Sequence, residues 1–145
     1  MRTITIRRLQ KEDFYNGFFE SLQNMSPSLQ ALESETATKI LEEREQAQTY
    51  TYVAVQDGSV VGTASLLIER KFIHNGSCAG YIEDVSVREG YQGNGIGRQL
   101  ITRLIAVAKE HGCYKIILGS DQTNKGFYER LGFREHELHM RMDLS

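Results

Sequence analysis

Ile4 and Ile6 alternate with polar neighbours from Thr3 to Arg8, the period-two pattern of a half-buried strand. Phe14, Phe18 and Leu22 then recur every four positions behind Asp13, which predicts a helix capped by that aspartate. Ser26-Pro27 predicts the start of a second helix, with Leu29, Leu32, Thr36 and Ile40 on its apolar face and Glu33, Glu35, Glu42, Glu43 and Arg44 toward solvent. Thr49 to Gln56 and Val60 to Glu69 flank Asp57-Gly58-Ser59, where glycine supplies the positive φ of a tight turn, so an antiparallel hairpin is predicted. Arg70 to Gly80 is a polar connection into the central strand, which carries Tyr81, Ile82, Val85 and Val87. Ile96, Leu100, Ile101, Leu104, Ile105 and Ala108 fall on one helical stripe that Gly112 stops. Lys115 to Leu118 reads as a short strand and Asn124 to Leu131 as a short helix. Leu138, Met140, Met142 and Leu144 alternate in a last strand. The order β-α-α-β-β-β-α-β-α-β is mixed α/β, a mostly antiparallel central sheet flanked by helices.

Between the central strand and the helix at Ile96 lie Gly90, Gly93, Gly95 and Gly97. Glycines that let the backbone approach closely, just before a helix, leave free N–H groups and the positive end of the helix dipole facing outward. That arrangement suits phosphate. A nucleoside-triphosphate loop would close with Gly-Lys-Ser/Thr, but Gly97 is followed by Arg98 and Gln99. The dinucleotide fingerprint fails as well, because Arg98 stands in the place of its third glycine.

Composition narrows the class. A chain of 145 residues, 40% of them hydrophobic, fits a single domain spanning residues 1–145 with a real core. A net charge of −2 leaves no basic footprint for nucleic acid or a membrane surface. No apolar run approaches the roughly 18 residues of a membrane span, and no leader or peroxisomal tripeptide is present, so a cytoplasmic protein is expected. Cys78 and Cys113 form no CxxC and read as two free thiols. His136 and His139, three apart on a predicted strand, would face opposite ways and make a poor metal chelate; His111 reads as a partner of a helix dipole. No metal is expected.

The run Gln92-Gly93-Asn94-Gly95-Ile96-Gly97 matches the Q/R-x-x-G-x-G/A signature of the GCN5-related N-acetyltransferases (GNAT), and the element order is similar to theirs. Lys71-Phe72-Ile73-His74, Gly80-Tyr81-Ile82-Glu83-Asp84-Val85, Gly112-Cys113-Tyr114-Lys115-Ile116-Ile117-Leu118, Phe127-Tyr128-Glu129 and Gly132-Phe133 stand in one register with it. Together they resemble the glucosamine-6-phosphate N-acetyltransferases, which acetylate that amino sugar on the route to UDP-N-acetylglucosamine.

The resemblance implies acetyl-CoA as acetyl donor. It implies that the backbone of Val85, Ser86 and Val87 pairs with the pantetheine arm. Gln92, Gly93, Asn94, Gly95, Ile96, Gly97 and Arg98 would hold the pyrophosphate, with Asn124 and Tyr128 near the thioester. Lys71, Phe72, Ile73, His74, Glu83, Asp84, Tyr114 and Lys115 would meet the sugar phosphate. It also implies an intertwined homodimer in which Tyr114 and Lys115 of one subunit complete the other's site, with Leu138 to Leu144 as the crossing element. Two departures stand out. Gly119 follows the Ile-Ile-Leu strand where family members carry an acid, with Asp121 two further on. Asp143 occupies the place of a C-terminal arginine, and Arg141 lies two positions early.

The residues themselves support a matching chemistry. Glu83 and Asp84 are adjacent on a strand, hence on opposite faces, so one can meet an amine or sugar hydroxyls while the other braces the structure. An acceptor amine must be neutral to attack a thioester, and a carboxylate through water or the carbonyl of Gly119 can take its proton. A backbone N–H near Val85 can stabilise the developing oxyanion where the family implies a bulge. Tyr128 is the candidate acid for the departing thiolate. No cysteine lies in the loop, which favours direct transfer over an acyl-enzyme. Lys71 and Lys115 also read as ordinary surface lysines, and Ser26 as an N-cap before a phosphate contact. Two further functions stay open: a GNAT enzyme with another small-amine or protein-lysine acceptor, and a catalytically silent acyl-CoA-binding module.

Overall fold

The computed structural model describes residues 3–145. Its elements are β1 (Ile4–Arg8), α1 (Phe19–Leu22), α2 (Ser34–Gln46), β2 (Thr49–Gln56), β3 (Ser59–Arg70), the single turn α3 (Ile73–Gly76), β4 (Cys78–Val87), α4 (Ile96–Glu110), β5 (Cys113–Leu118) and α5 (Gln122–Arg130). The five strands lie side by side in sequence order. Every pair is antiparallel except β4 and β5, which run parallel because α4 carries the chain back across the sheet.

Each face of the sheet is covered. Ile96, Leu100, Ile101 and Leu104 of α4 are almost fully buried against Ala64 and Leu66 of β3. Each such side chain contributes about 1.5–3 kcal/mol of transfer free energy. On the other face Phe14, Phe18, Phe19 and Ala37 bury Leu9, Val53 and Val60. The hairpin, the central strand and α4 follow the hydrophobic pattern closely. β3, β4 and β5 each start a little earlier than the apolar runs suggest.

The first helix departs from its periodicity. Phe14–Phe18 forms a wide turn with Tyr15, Asn16 and Gly17 outside helical geometry, and only Phe19–Leu22 is α-helical. Gly17 has φ +100, and a Cβ there would fall 2.2 Å from the carbonyl oxygen of Val60. The close approach of β3 therefore breaks the helix while leaving its phenylalanines on the core side. Asp13 does not cap the segment that follows it; its side chain closes the capping box of the short turn Lys11–Asp13. The Arg7 guanidinium donates to both of its oxygens at 2.8 Å, and the N–H of Gln10 donates to one of them at 2.9 Å.

The second helix begins at Ser34, not at Ser26-Pro27. Leu29 N–H donates to Ser26 O in a turn, Gln23 Nε2 donates to Leu29 O at 3.2 Å, and the Tyr15 hydroxyl donates to Leu32 O. These bonds hold the intervening segment as a loop. The buried side of α2 accordingly carries Ala37 and Leu41, and Ile40 is left exposed.

The last expected strand does not form. Leu138, Met140, Met142 and Leu144 keep 82–90% of their surface exposed, and no strand pairs with them among the described residues. Alternation makes a strand possible, but the ladder needs a neighbour. Among the described residues no helix is long and apolar enough to cross a membrane.

Candidate active site

β4 and β5 pair from Cys78 opposite Cys113 to Ile82 opposite Leu118, and the pairing ends there. Beyond Ile82, β4 continues to Val87, held on its other side by β3. The edge from Glu83 to Val87 thus faces a fork rather than a strand. Backbone N–H and C=O groups exposed along such an edge can pair with an extended, amide-bearing ligand.

A bulge lies at the same place. Ser65 opposes Glu83 and Thr63 opposes Ser86, so two residues of β4, Asp84 and Val85, face the single Ala64. Asp84 has φ +53, left-handed for a residue other than glycine. The strict alternation expected for Glu83 and Asp84 is broken here. Asp84 joins Thr63 and Ser65 around a cavity of about 200 Å³ beneath α1 and α2, and Ser65 is the cross-strand partner of Glu83. Just past the bulge, the buried Ser86 donates to Ser21 O at 2.6 Å, which ties β4 to α1.

The glycine loop closes one end of the fork. Gly90, Gly93 and Gly95 have φ of +90, +80 and +78, and a Cβ on any of them would touch nothing within 4 Å. Their outer surface is open. Gly95 is the N-cap of α4, and the first helical bond runs from Gln99 N–H to Gly95 O. The N–H groups of Ile96, Gly97 and Arg98 therefore have no helical acceptor and point outward with the dipole. The Gln92 side chain accepts from Gly90 N–H at 3.1 Å and donates to Val87 O at 3.3 Å, so it shapes the loop from within. Asn94 donates to Tyr91 O at 3.1 Å and does the same.

α5 follows β5 and meets the start of α4 at Gly97. Asp121 accepts from Asn124 N–H at 2.9 Å and caps it. Phe127 packs within ordinary contact of Gly97, and Tyr128 sits edge-on between Phe127 and Phe133, with ring centroids 5.0 and 5.9 Å away. Burial, and then the nearby charge of Asp121, push the Tyr128 phenol above its ordinary value, so it holds its proton.

The remaining candidates gather elsewhere. His74 stacks on Tyr114 with ring centroids 3.9 Å apart, and Lys115 Nζ lies 5.4 Å from the same ring. Lys71 pairs with Glu69 at 3.0 Å and lies 5.8 Å from the Tyr81 ring; the Glu69 carboxylate and the Tyr81 hydroxyl raise its ammonium. Phe72 and Ile73 project into solvent. This basic cluster surrounds the start of β4 and β5. Ala79, beside Lys115, is about 13 Å from Glu83 at roughly 3.3 Å per residue. Along one chain Glu83, Asp84 and Val85 stand at the bulge, Lys115 pairs with Ala79 four residues back, and Lys71 lies against Tyr81, two residues from Glu83. Ser26 lies exposed in the loop before α2, and Arg141 pairs with Asp143 at 2.8 Å rather than standing free.

Two features escaped the linear pattern. Cys78 and Cys113 are cross-strand partners with sulfurs 3.4 Å apart, both free thiols, and burial with the Cys78 contact pushes the Cys113 thiol up to about 12. His139 lies against Gly119, at the end of β5. No group of three or more His, Cys, Asp or Glu able to hold a metal occurs among the described residues.

A sheet forked beside a bulge, with a glycine-capped helix at its mouth, defines the site of an acetyltransferase. The chain belongs to the acetyltransferase (GNAT) family, whose model matches residues 5–133. It is 49% identical over 87 residues to a glucosamine 6-phosphate N-acetyltransferase of Trypanosoma brucei brucei, covering 60% of this chain and 59% of that protein. It is 34% identical to the enzyme of that name from Candida albicans, over 94% of this chain and 93% of the relative. The crystal structure of a Trypanosoma brucei acetyltransferase superposes with a TM-score of 0.92 at 38% identity, over 98% of this chain and 100% of that one.

Proposed function

We propose that this chain transfers the acetyl group of acetyl-CoA to the amine of glucosamine 6-phosphate, giving N-acetylglucosamine 6-phosphate and CoA by direct attack. The observation that carries this reading is the fork beyond Ile82 and Leu118, opening onto the unspent amides of the glycine loop. The names of the relatives support the acceptor.

Acetyl-CoA supplies an activated thioester, and the chain's own groups do the rest. The Val85 to Val87 edge takes the amide-bearing pantetheine arm as an added strand. The amides from Gly93 to Arg98 hold the pyrophosphate, and Asn124 steadies the arm from α5. A backbone N–H at the bulge, aimed at the thioester oxygen, stabilises charge as it develops; one such donor is worth about 3 kcal/mol. Glu83 orients the acceptor, and Asp84 braces it from the cavity side. Tyr128, protonated at the outset, donates to the departing sulfur.

The sugar phosphate calls for cations beside Glu83, and in one chain Lys115 stands four residues back along the sheet. A homodimer answers this, with Lys71, His74, Tyr114 and Lys115 of one subunit facing Glu83 of the other. The apolar side chains of Phe72, Ile73, Leu138, Met140, Met142 and Leu144 are the surface such a partner would cover. In this reading the whole chain works as one cytoplasmic domain feeding UDP-N-acetylglucosamine synthesis.

The test is thiol release from acetyl-CoA against a panel of amines. Glucosamine 6-phosphate should exceed unphosphorylated glucosamine, small polyamines and lysine peptides in kcat/KM. If the unphosphorylated sugar is as good, the sugar-phosphate assignment fails. If no amine releases thiol while CoA binds, the chain is a silent acyl-CoA-binding module.

A further inference from the structure

Direct transfer needs a proton acceptor, because an amine in water near neutral pH is largely the ammonium ion. On the β5 side of the fork no carboxylate is available. Gly119, the residue after Leu118, has no side chain, and Asp121 is committed as the cap of α5. The space beside Gly119 is nevertheless filled. A Cβ built on it would fall 2.7 Å from Cε1 of His139, 3.0 Å from Nδ1 and 3.1 Å from Nε2. The imidazole thus occupies the place of a side chain at position 119, at the mouth of the fork, where the register carried one step past Ile82 and Leu118 sets Gly119 level with Glu83.

The other histidines are engaged. His111 Nδ1 bonds Val107 O at 3.0 Å, His136 meets Glu137 at 3.2 Å, and His74 is stacked on Tyr114. The His139 imidazole has no hydrogen bond, ion pair or ring contact with the described residues. Its neighbours on the chain do not claim it either, since Glu137 faces His136 and Arg141 faces Asp143. Across the fork stands Glu83, while Asp84 lines the cavity on the α1 and α2 side.

We propose that His139 is the catalytic base of the transfer, accepting a proton from the acceptor ammonium at the place where Gly119 leaves room for it. The inference rests on the acetyltransferase reading above. A neutral imidazole is the side chain best matched to take a proton near neutral pH. The balance is complete. The ammonium gives one proton to the imidazole, which passes it to water. The freed amine forms the C–N bond as the C–S bond breaks. The second nitrogen proton replaces the one Tyr128 gives to the sulfur, so CoA leaves as the thiol. His139 lies against Gly119 while Leu138 and Met140 on either side of it are exposed.

The test uses the full-length protein and whichever amine the wild type acetylates, so that failure on glucosamine 6-phosphate overturns the acceptor and not the base. His139→Ala should lower kcat by roughly 10²–10⁴-fold, with acetyl-CoA binding unchanged. Imidazole added in solution should then raise kcat at least tenfold in this variant, and neither in wild type nor in Glu83→Ala. Gly119→Asp placed on His139→Ala should also recover activity, because a carboxylate enters the vacated space. A folded His139→Ala within about threefold of wild type overturns the proposal. So does a loss that neither imidazole nor the aspartate relieves, which would make His139 a packing residue. A wild type that acetylates no amine overturns both readings together.

Discussion

Ile82 and Leu118 are the last residues that pair across β4 and β5. Past them the parallel ladder ends while β4 runs on, its left-handed Asp84 and its bulge opposite Ala64 directing backbone groups into the gap. A ligand that carries its own amides can complete the ladder, whereas a compact side chain cannot.

Tyr128 keeps its proton because burial, reinforced by Asp121, opposes the phenolate. Tyr128→Phe preserves the packing on Phe127 and Phe133 and removes only the hydroxyl. Folding and acetyl-CoA affinity should stay close to wild type, and kcat should fall about 10²–10⁴-fold. A drop under about threefold, with chemistry shown to limit turnover, would leave Tyr128 as part of the core.

Gly95 tests the loop. Its φ of +78 and the open space around it mean that a side chain there meets no protein atom. The damage from Gly95→Val comes from the left-handed backbone, about 1–2 kcal/mol for an L-residue, and from bulk over the outward-facing amides. Calorimetric titration should show acetyl-CoA binding weakened by at least about tenfold, roughly 1.4 kcal/mol. Wild-type affinity in a folded variant would remove the loop from the cofactor site.

Subunit sharing is open to complementation. Lys115→Ala and Glu83→Ala should each be inactive as homodimers. After exchange of subunits, mixed dimers should regain partial activity, because one intact site assembles from the unmutated halves. If exchange is demonstrated by mass spectrometry and activity does not return, both residues serve the same chain's site, with the Lys115 side chain or the ligand spanning the four strand residues from Ala79 to Glu83.

The Arg7–Asp13 pair predicts an acid limb in stability. Burial alone would raise the Asp13 carboxyl, but the Arg7 hydrogen bonds, the Gln10 N–H and the Arg7 charge outweigh it and hold it below its ordinary 3.8. A depressed native value means the pair stabilises fully above that ordinary value. The contribution is lost as pH falls through the native one. Arg7 is about one-third open to solvent, so a moderate loss of about 1–3 kcal/mol is expected for Asp13→Asn near neutral pH. Urea unfolding of wild type and variant should converge as pH drops from about 5 toward 2. A gap that persists at the acid end would assign the loss to packing.

The hairpin at Asp57-Gly58, the Leu100 stripe of α4 and the glycine loop were all legible in the sequence, because each depends on short-range physics. A turn needs a residue tolerant of positive φ, a helix needs one apolar face, and an anion loop needs bare amides beside a helix start. The family resemblance added the role of β4. Other features were decided by contacts between distant residues. The carbonyl of Val60 breaks the Phe14 helix at Gly17, and Asp13 goes to Arg7 instead of capping that segment. Leu138 to Leu144 alternates as a strand does, yet it finds no ladder among the described residues. The fork beyond Ile82, the gap between Lys115 and Glu83, and His139 in the space of Gly119 belong to this second group. Periodicity reports which face of an element is apolar; only tertiary packing decides which neighbour it meets and which backbone groups are left without one.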